Sequence, residues 1–357
     1  MDIYTGSFTD MDLADHGAGG GIYRFELDTD SGALSGMELA AEAPNPNYVL
    51  FSRDGTRLYS VVEAEFVSDP SGTAVRLYDV DRATGALTLR SSAEFGITGP
   101  CHMSIDPQER AVFVGCYTGG GAVMVPLGGG GDLGDPVEVR HEGSSVNPER
   151  QEAPHPHSAN VTADGRFLHV PDLGIDRVVT YRVEHGPARL TRISDAASAP
   201  GAGPRHMTFT PDGAFAYVMG EMASTIMAFR CESDGGLTHL QTLSSLPAGF
   251  SGENSTADVR MHPRGHVVYC SNRGHDSIAV FSIDGQTGEL SQLGHVPTGG
   301  QTPRGFNVDA SGTWLLAANE QSETVFSFRV DGENGMPVPT GSSIEVPRPT
   351  SVAFAPA

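Results

Sequence analysis

Seven short β-type strings recur along the chain at intervals of roughly 50 residues: "GIYRFELD", "VRLYDVD", "AVMVPL", "VVTYRVE", "TIMAFRC", "SIAVFSID" and "TVFSFRV". A repeat of that period restricts the fold more than composition does, because a unit too small to bury its own apolar face is stable only when stacked on copies of itself. The strings alternate or run continuously apolar and are rich in Val, Ile, Tyr and Phe, which reads as strand. Several lead into a turn and a Leu-containing stretch, as in "DTDSGALS", "DRATGALT", "SDGGLTHL" and "DGQTGELS". That is hairpin chemistry, with Gly and Asp supplying positive-φ positions. Ahead of most strings lies a second hairpin with an Asp-Gly or similar turn: "LFSRDGTRLYSV", "MSIDPQERAVFV", "NVTADGRFLHV", "MTFTPDGAFAYV", "VRMHPRGHVVY" and "NVDASGTWLLA". Each unit therefore reads as four antiparallel strands. Helical periodicity with capping residues is absent.

Repeated four-stranded units predict an all-β, seven-bladed β-propeller occupying 1–357 as a single domain. The chain ends on a first strand, "TSVAFAPA", with no partner after it, and it starts on "DIYTGSF". Pairing these two closes the ring, places both termini in one blade and removes the open edge. The longest irregular stretch, "RHEGSSVNPERQEAPHPHS" at 140–158, is expected to cover part of one face. The glycine run that begins at Gly128 reads as a turn; no G-K-[ST] and no helix follow it, so a phosphate-cradling loop is not expected.

Composition narrows the function. A formal charge of -22 argues against nucleic acid and anionic membranes, whose phosphates require basic surface. Every fixed positive side chain is an arginine; the absence of lysine removes Schiff-base and lysine-base chemistry. Cys101, Cys116, Cys231 and Cys270 form no C-x-x-C pair, and the first residues show neither a basic n-region nor an apolar h-region. No apolar run approaches the length of a membrane span. A cytoplasmic protein with reduced thiols is the expectation.

In a propeller, the first strand begins on the face where the second ends. In "PRHMTFTPDGAFAYVMGE" (204–221), Arg205 and Glu221 therefore return to one mouth of one blade. Counting eight residues back from each hairpin turn gives Asn47, Cys101, His157, Arg205, Ala257, Arg304 and Thr350. Counting eight forward gives Glu63, Tyr117, Leu173 or Asp172, Glu221, Arg273 and Glu320. The two sets form two rings around the axis, so His157, Arg205, Glu221, Arg273, Arg304 and Glu320 converge from four consecutive blades. Three arginines aimed at one funnel in so acidic a chain point to an anion site. The plainer alternative is a set of structural Arg–Glu pairs.

At these residues the chain resembles the seven-bladed lactonase family, which includes the propeller-type bacterial 6-phosphogluconolactonases and the fungal 3-carboxy-cis,cis-muconate lactonising enzyme. The stretches that carry the resemblance are "HPHSANVTADGRFLHVPDLGIDRVVTYRV", "GAGPRHMTFTPDGAFAYVMGEMASTI", "SNRGHDSIAVF" and "TPRGFNVDASGTWLLAANEQSETV". The resemblance implies a catalytic set of His157 in "HPHS", Arg205 in "GPRH", Glu221 in "MGE" and Arg273 in "SNRG". Arg304, Glu320, Asp172 and His155 are added as substrate-binding residues, and Cys101 is expected to be plain wall.

Opening a lactone requires an activated water and positive donors where the oxyanion forms. His157 suits the first role, Arg205 and Arg273 the second, and Glu221 orients an arginine or passes a proton to the leaving hydroxyl. Arg304 holds a more distant anionic group. The expected partner is a small anionic lactone or its open acid, phosphorylated or carboxylated, with no cofactor and no metal. The same residues can run intramolecular lactonisation of a carboxymuconate-like diacid, and a non-catalytic interaction propeller is the third reading. Ser158 follows His157 and points to the opposite face, which disfavours a Ser–His nucleophile. His155 and His157 share a face and could hold zinc with Asp172, but nothing in the sequence places that third ligand, so zinc is disfavoured. His102 and His206 follow ring positions by one residue and are expected to face the packing between blades. Trp314 is expected in the core.

Overall fold

The computed structural model describes residues 1–9, 19–63, 72–129 and 131–356. Gly130 of the glycine run and the terminal Ala357 lie outside the described residues. Seven four-stranded antiparallel sheets form the blades of a β-propeller. Their inner strands are Tyr48–Phe51, Pro100–Ile105, Asn160–Val161, Pro204–Phe209, Ser255–Met261, Pro303–Val308 and Pro349–Phe354, taken here as blades one to seven. Blades one to six are built from consecutive strands. In blade seven, Pro349–Phe354 pairs with Asp2–Ser7 in the register Ile3 to Phe354 and Thr5 to Val352. Gly21–Leu27 and Leu34–Glu42 complete that sheet, so the two ends of the chain lock the ring. No helix among the described residues is long and apolar enough to cross a membrane.

The Asp-Gly turns form for a local reason. In blade four Gly213 sits at φ +71°, where a side chain is strained. Asp212 Oδ1 accepts the Ala214 N–H at 3.0 Å and the Thr210 hydroxyl at 2.6 Å, so the turn satisfies its own donors. The core lies between blades rather than inside any one of them. Tyr59, Val61 and Leu77 of blade one meet Met103, Val112, Val114 and Val123 of blade two, while Trp314 of blade six packs with Ile3 and Phe25 of blade seven. A second-strand tyrosine ties several neighbours together by reaching the outer turn of the next blade: Tyr4 to Gly85 O at 2.6 Å, Tyr217 to Gly288 O at 3.0 Å and Tyr269 to Gly335 O at 2.7 Å.

Inner strands are not regular. Register shifts occur between Pro100 and His102, Pro204 and Met207, Thr256 and Val259, and Pro303 and Gly305. A bulge places two consecutive side chains on one side and cancels the alternation of an ideal strand. This corrects the expectation for His102 and His206. Their rings lie 5.0 Å apart edge to face, His206 also meets the His157 ring at 5.3 Å, and His102 meets Tyr48 at 4.6 Å. Three blades thus contribute one chain of imidazoles around the axis.

Candidate active site

The mouth of the propeller opens into a cavity of about 350 Å³ lined by ring residues from successive blades. His157 of blade three, Glu221 of blade four, Arg273 of blade five and Arg304 with Glu320 of blade six all stand on its wall. Glu221 is its electrostatic centre. Its Oε2 lies 2.7 Å from Arg205 Nε, 3.2 Å from Arg273 Nη2 and 3.9 Å from His157 Nε2. Arg150 Nη2 donates to its Oε1 at 2.9 Å. Burial alone would raise the pKa of Glu221; the charges of Arg273 and Arg205 outweigh it and hold the carboxylate well below its ordinary range. Glu221 is therefore a fixed negative charge.

Arg205 lies deeper than the sequence suggests. It is not on the wall of the main cavity but on a void of about 20 Å³ beneath it, shared with His157, His206 and Asp258. One of its terminal nitrogens donates to the Ala257 carbonyl, and its Nε, although close to Glu221, lacks an in-line acceptor. Burial, reinforced by Arg273 and Arg304, pushes its pKa down to about 9, which leaves it cationic at neutral pH. Its contact is with Glu221, so it positions that carboxylate. Arg273 is held by the Thr256 carbonyl at 2.8 Å and faces the cavity. Arg304 is the least constrained of the three by hydrogen bonding: among the described residues its charged partner is Glu320 Oε2 at 3.6 Å, and its guanidinium lies over the Phe8 ring at 4.9 Å. Glu320 is instead engaged by Arg348 at 2.5 Å.

His157 is 6% exposed. Burial first, and then the charge of Arg205, hold its pKa well below the usual imidazole value, so it is neutral at physiological pH. Its Nδ1 lies 3.4 Å from Cys101 Sγ, and the Tyr117 ring meets it edge to face at 5.1 Å. Cys101 is thus more than inert wall: it sits against the inner nitrogen of the imidazole, while burial pushes its own thiol up to about 12. Ser158 turns away, as expected of its neighbour on the strand, and donates to the Arg205 carbonyl.

Asp172 and His155 are not brought to the cavity. Asp172 is fully buried and accepts from the His155 N–H at 2.7 Å and the Gly174 N–H at 2.9 Å, with His141 Nδ1 at 2.6 Å. His155 stacks on Tyr117, with Nδ1 at 3.1 Å from the Tyr117 carbonyl. Asp172 latches the 140–158 segment to blade three and the His155 ring latches it to Tyr117 of blade two, and Leu173, the other reading of that ring position, is fully buried. His155, His157 and Asp172 do not converge, and no metal-holding cluster of three His, Cys, Asp or Glu occurs among the described residues.

Sequence reasoning missed Arg150. It rides on the latched segment and reaches over the mouth to Glu221 and to the Tyr117 hydroxyl at 3.3 Å. The arginine inside "NPERQEAPHPHS" is visible, but nothing in the sequence gives an irregular segment a register. Three guanidinium groups, of Arg150, Arg273 and Arg304, line the mouth beside Glu221 and Glu320, and Arg205 and Arg348 pair with those two carboxylates without lining it. A positive well results inside a strongly acidic protein.

Comparison with known proteins agrees with this architecture. The family model described as "Lactonase, 7-bladed beta-propeller" matches residues 2–354. The 6-phosphogluconolactonase of Bacillus subtilis (strain 168) is 36% identical over 353 residues, covering 98% of this chain and 97% of that protein. The solved periplasmic gluconolactonase of Pseudomonas aeruginosa superimposes with a TM-score of 0.90 at 29% identity, covering 99% and 98% of the two chains. A putative 6-phosphogluconolactonase from Bacteroides fragilis gives 0.87 at 29% identity, covering 98% and 96%. A match that runs through all seven blades, with an ionic well at their common mouth, makes this chain a member of the seven-bladed β-propeller lactonase family.

Proposed function

We propose that the well hydrolyses a small anionic lactone, of the phosphorylated or carboxylated sugar-lactone class. The observation that carries this reading is the pairing of a neutral imidazole, His157, with cavity-facing guanidinium groups at Arg273 and Arg304. Arg304, the least committed of the arginines, receives the phosphate or carboxylate of the substrate. Arg273 stands beside the fixed charge of Glu221 and donates to the carbonyl oxygen as it becomes an oxyanion, an interaction commonly worth ~3 kcal/mol. His157 takes a proton from the attacking water; Glu221 and Arg205 fix the field in which it does so. The names of the relatives, 6-phosphogluconolactonase and gluconolactonase, favour hydrolysis over lactonisation of a carboxymuconate.

The test is a coupled screen of purified protein against 6-phosphogluconolactone, unphosphorylated aldonolactones and carboxymuconolactone, corrected for spontaneous hydrolysis. The expected result is preference for an anionic sugar lactone, with His157→Ala lowering kcat by about 10²-fold or more and leaving KM nearly unchanged. Turnover of carboxymuconolactone alone, or full activity in His157→Ala, would overturn the reading.

A further inference from the structure

A second carboxyl group stands on the same cavity wall, in an environment opposite to that of Glu221. Glu63 directly follows the second strand of blade one, Arg57–Val62, lines the cavity and is 3% exposed. Its Oε1 accepts the Gly99 N–H at 2.6 Å, and among the described residues no arginine or histidine pairs with it. The acceptor site is built deliberately. Gly99 holds φ +73°, and a Cβ there would lie 2.5 Å from the Thr118 nitrogen, so only glycine lets this turn bring its N–H to the carboxyl. On the other side Asn45, at φ +40°, donates through Nδ2 to the Glu63 carbonyl at 3.1 Å. The backbone is clamped at both sides, while Oε2 has no hydrogen-bond partner among the described residues.

We infer that Glu63 is the proton-exchanging acid of the lactonase reaction, acting on the ring oxygen from the side of the cavity opposite Arg273. This rests on the proposed hydrolysis and adds the residue that completes it. Water attacks the lactone carbonyl carbon and forms the new C–O bond as its proton passes to His157. The ring C–O bond then breaks, its electron pair stays on the ring oxygen, and the Glu63 carboxyl supplies the proton that makes this oxygen a hydroxyl. The carboxylic acid product gives its proton back to the Glu63 carboxylate, and His157 releases the proton it took to solvent. One water is consumed and one proton is released per lactone, with both side chains restored.

The electrostatics fit that assignment. Burial pushes the Glu63 pKa up to about 7, opposed by the Gly99 N–H, while the arginines keep Glu221 ionised. Two carboxyl groups driven apart in this way divide into an acid and a fixed charge. The neighbouring titratable groups do not compete near neutrality. The Cys101 and Cys116 thiols of blade two are held up by burial, Cys101 to about 12, and the Tyr117 phenol is also raised. Across the cavity, Arg273 and Arg304 face Glu221 and Glu320.

The test combines kinetics with melting on Glu63→Gln and Glu63→Asp, each checked for native fold by circular dichroism. Glu63→Gln should lower kcat by about 10²- to 10⁴-fold with KM within about threefold, and should abolish a limb of the wild-type pH–rate profile centred near pH 7. Glu63→Asp should keep the limb at reduced kcat. A raised carboxyl pKa costs stability as pH rises through it, so Glu63→Gln should melt several degrees above wild type at pH 8, with no difference near pH 4.5. Active wild type with an unimpaired Glu63→Gln, or a limb that survives in it, overturns the role of Glu63 alone. Wild type inactive on every lactone overturns the proposed function and this role with it, whatever the melting curves show.

Discussion

Replacing Glu221 by Gln keeps the shape of the side chain and removes the negative charge that Arg150, Arg205 and Arg273 share. At 2.7 and 3.2 Å, the two buried guanidinium groups each gain about 5–6 kcal/mol of gross Coulomb attraction at an effective dielectric near 20. Much of that is already spent on desolvating three charges, so the measurable loss is the ~3–5 kcal/mol seen when one member of a buried pair is deleted. Arg150, whose side chain is 44% exposed, adds no more than about 1 kcal/mol. At about 2 °C per kcal/mol for a chain of this size, Glu221→Gln should melt about 6–10 °C below wild type by scanning calorimetry at pH 7. The pH dependence has a definite sign. The folded carboxylate lies below its ordinary value of 4.5, so its contribution is complete above that pH and is lost as pH falls beneath it. The gap between the two melting curves should stay constant from about pH 6 to 8, below the range in which Arg205 gives up its proton, and narrow below about 4.5, with little response to salt because the pair is buried. A variant melting within about 2 °C of wild type at pH 7 would show that the carboxylate does not hold these arginines by charge, and the site geometry argued here would fall with it.

Two further variants separate binding from scaffolding. Arg304→Ala should raise KM for a phosphorylated lactone by about 10- to 100-fold with kcat largely kept, the loss of one charge-assisted contact; equal losses in kcat and KM, read from initial rates, would contradict an anchoring role. Asp172→Ala strips acceptors from buried donors at His155, Gly174 and His141. It should cost ~3–5 kcal/mol by denaturant titration and should speed limited proteolysis within 140–158; unchanged cleavage would mean that the segment is held elsewhere.

Much of this protein is written locally. The hairpin turns, the alternating strands and the unpaired strand at each end of the chain determine seven blades and the way the ring shuts, because each depends on neighbouring residues and on a simple period. The same counting carried His157, Glu221, Arg273, Arg304 and Glu320 to one mouth. What the sequence left undecided depends on contacts between blades. Bulges in the inner strands broke the two-residue alternation, sank Arg205 beneath the cavity wall and turned His206 toward the axis. An irregular segment without register delivered Arg150 from outside the repeat and took Asp172 and His155 for its own anchorage. Above all, identical glutamate side chains became a fixed anion at 221 and a near-neutral acid at 63. Desolvation and the distance to the nearest guanidinium set that difference, and both exist only once the ring has closed.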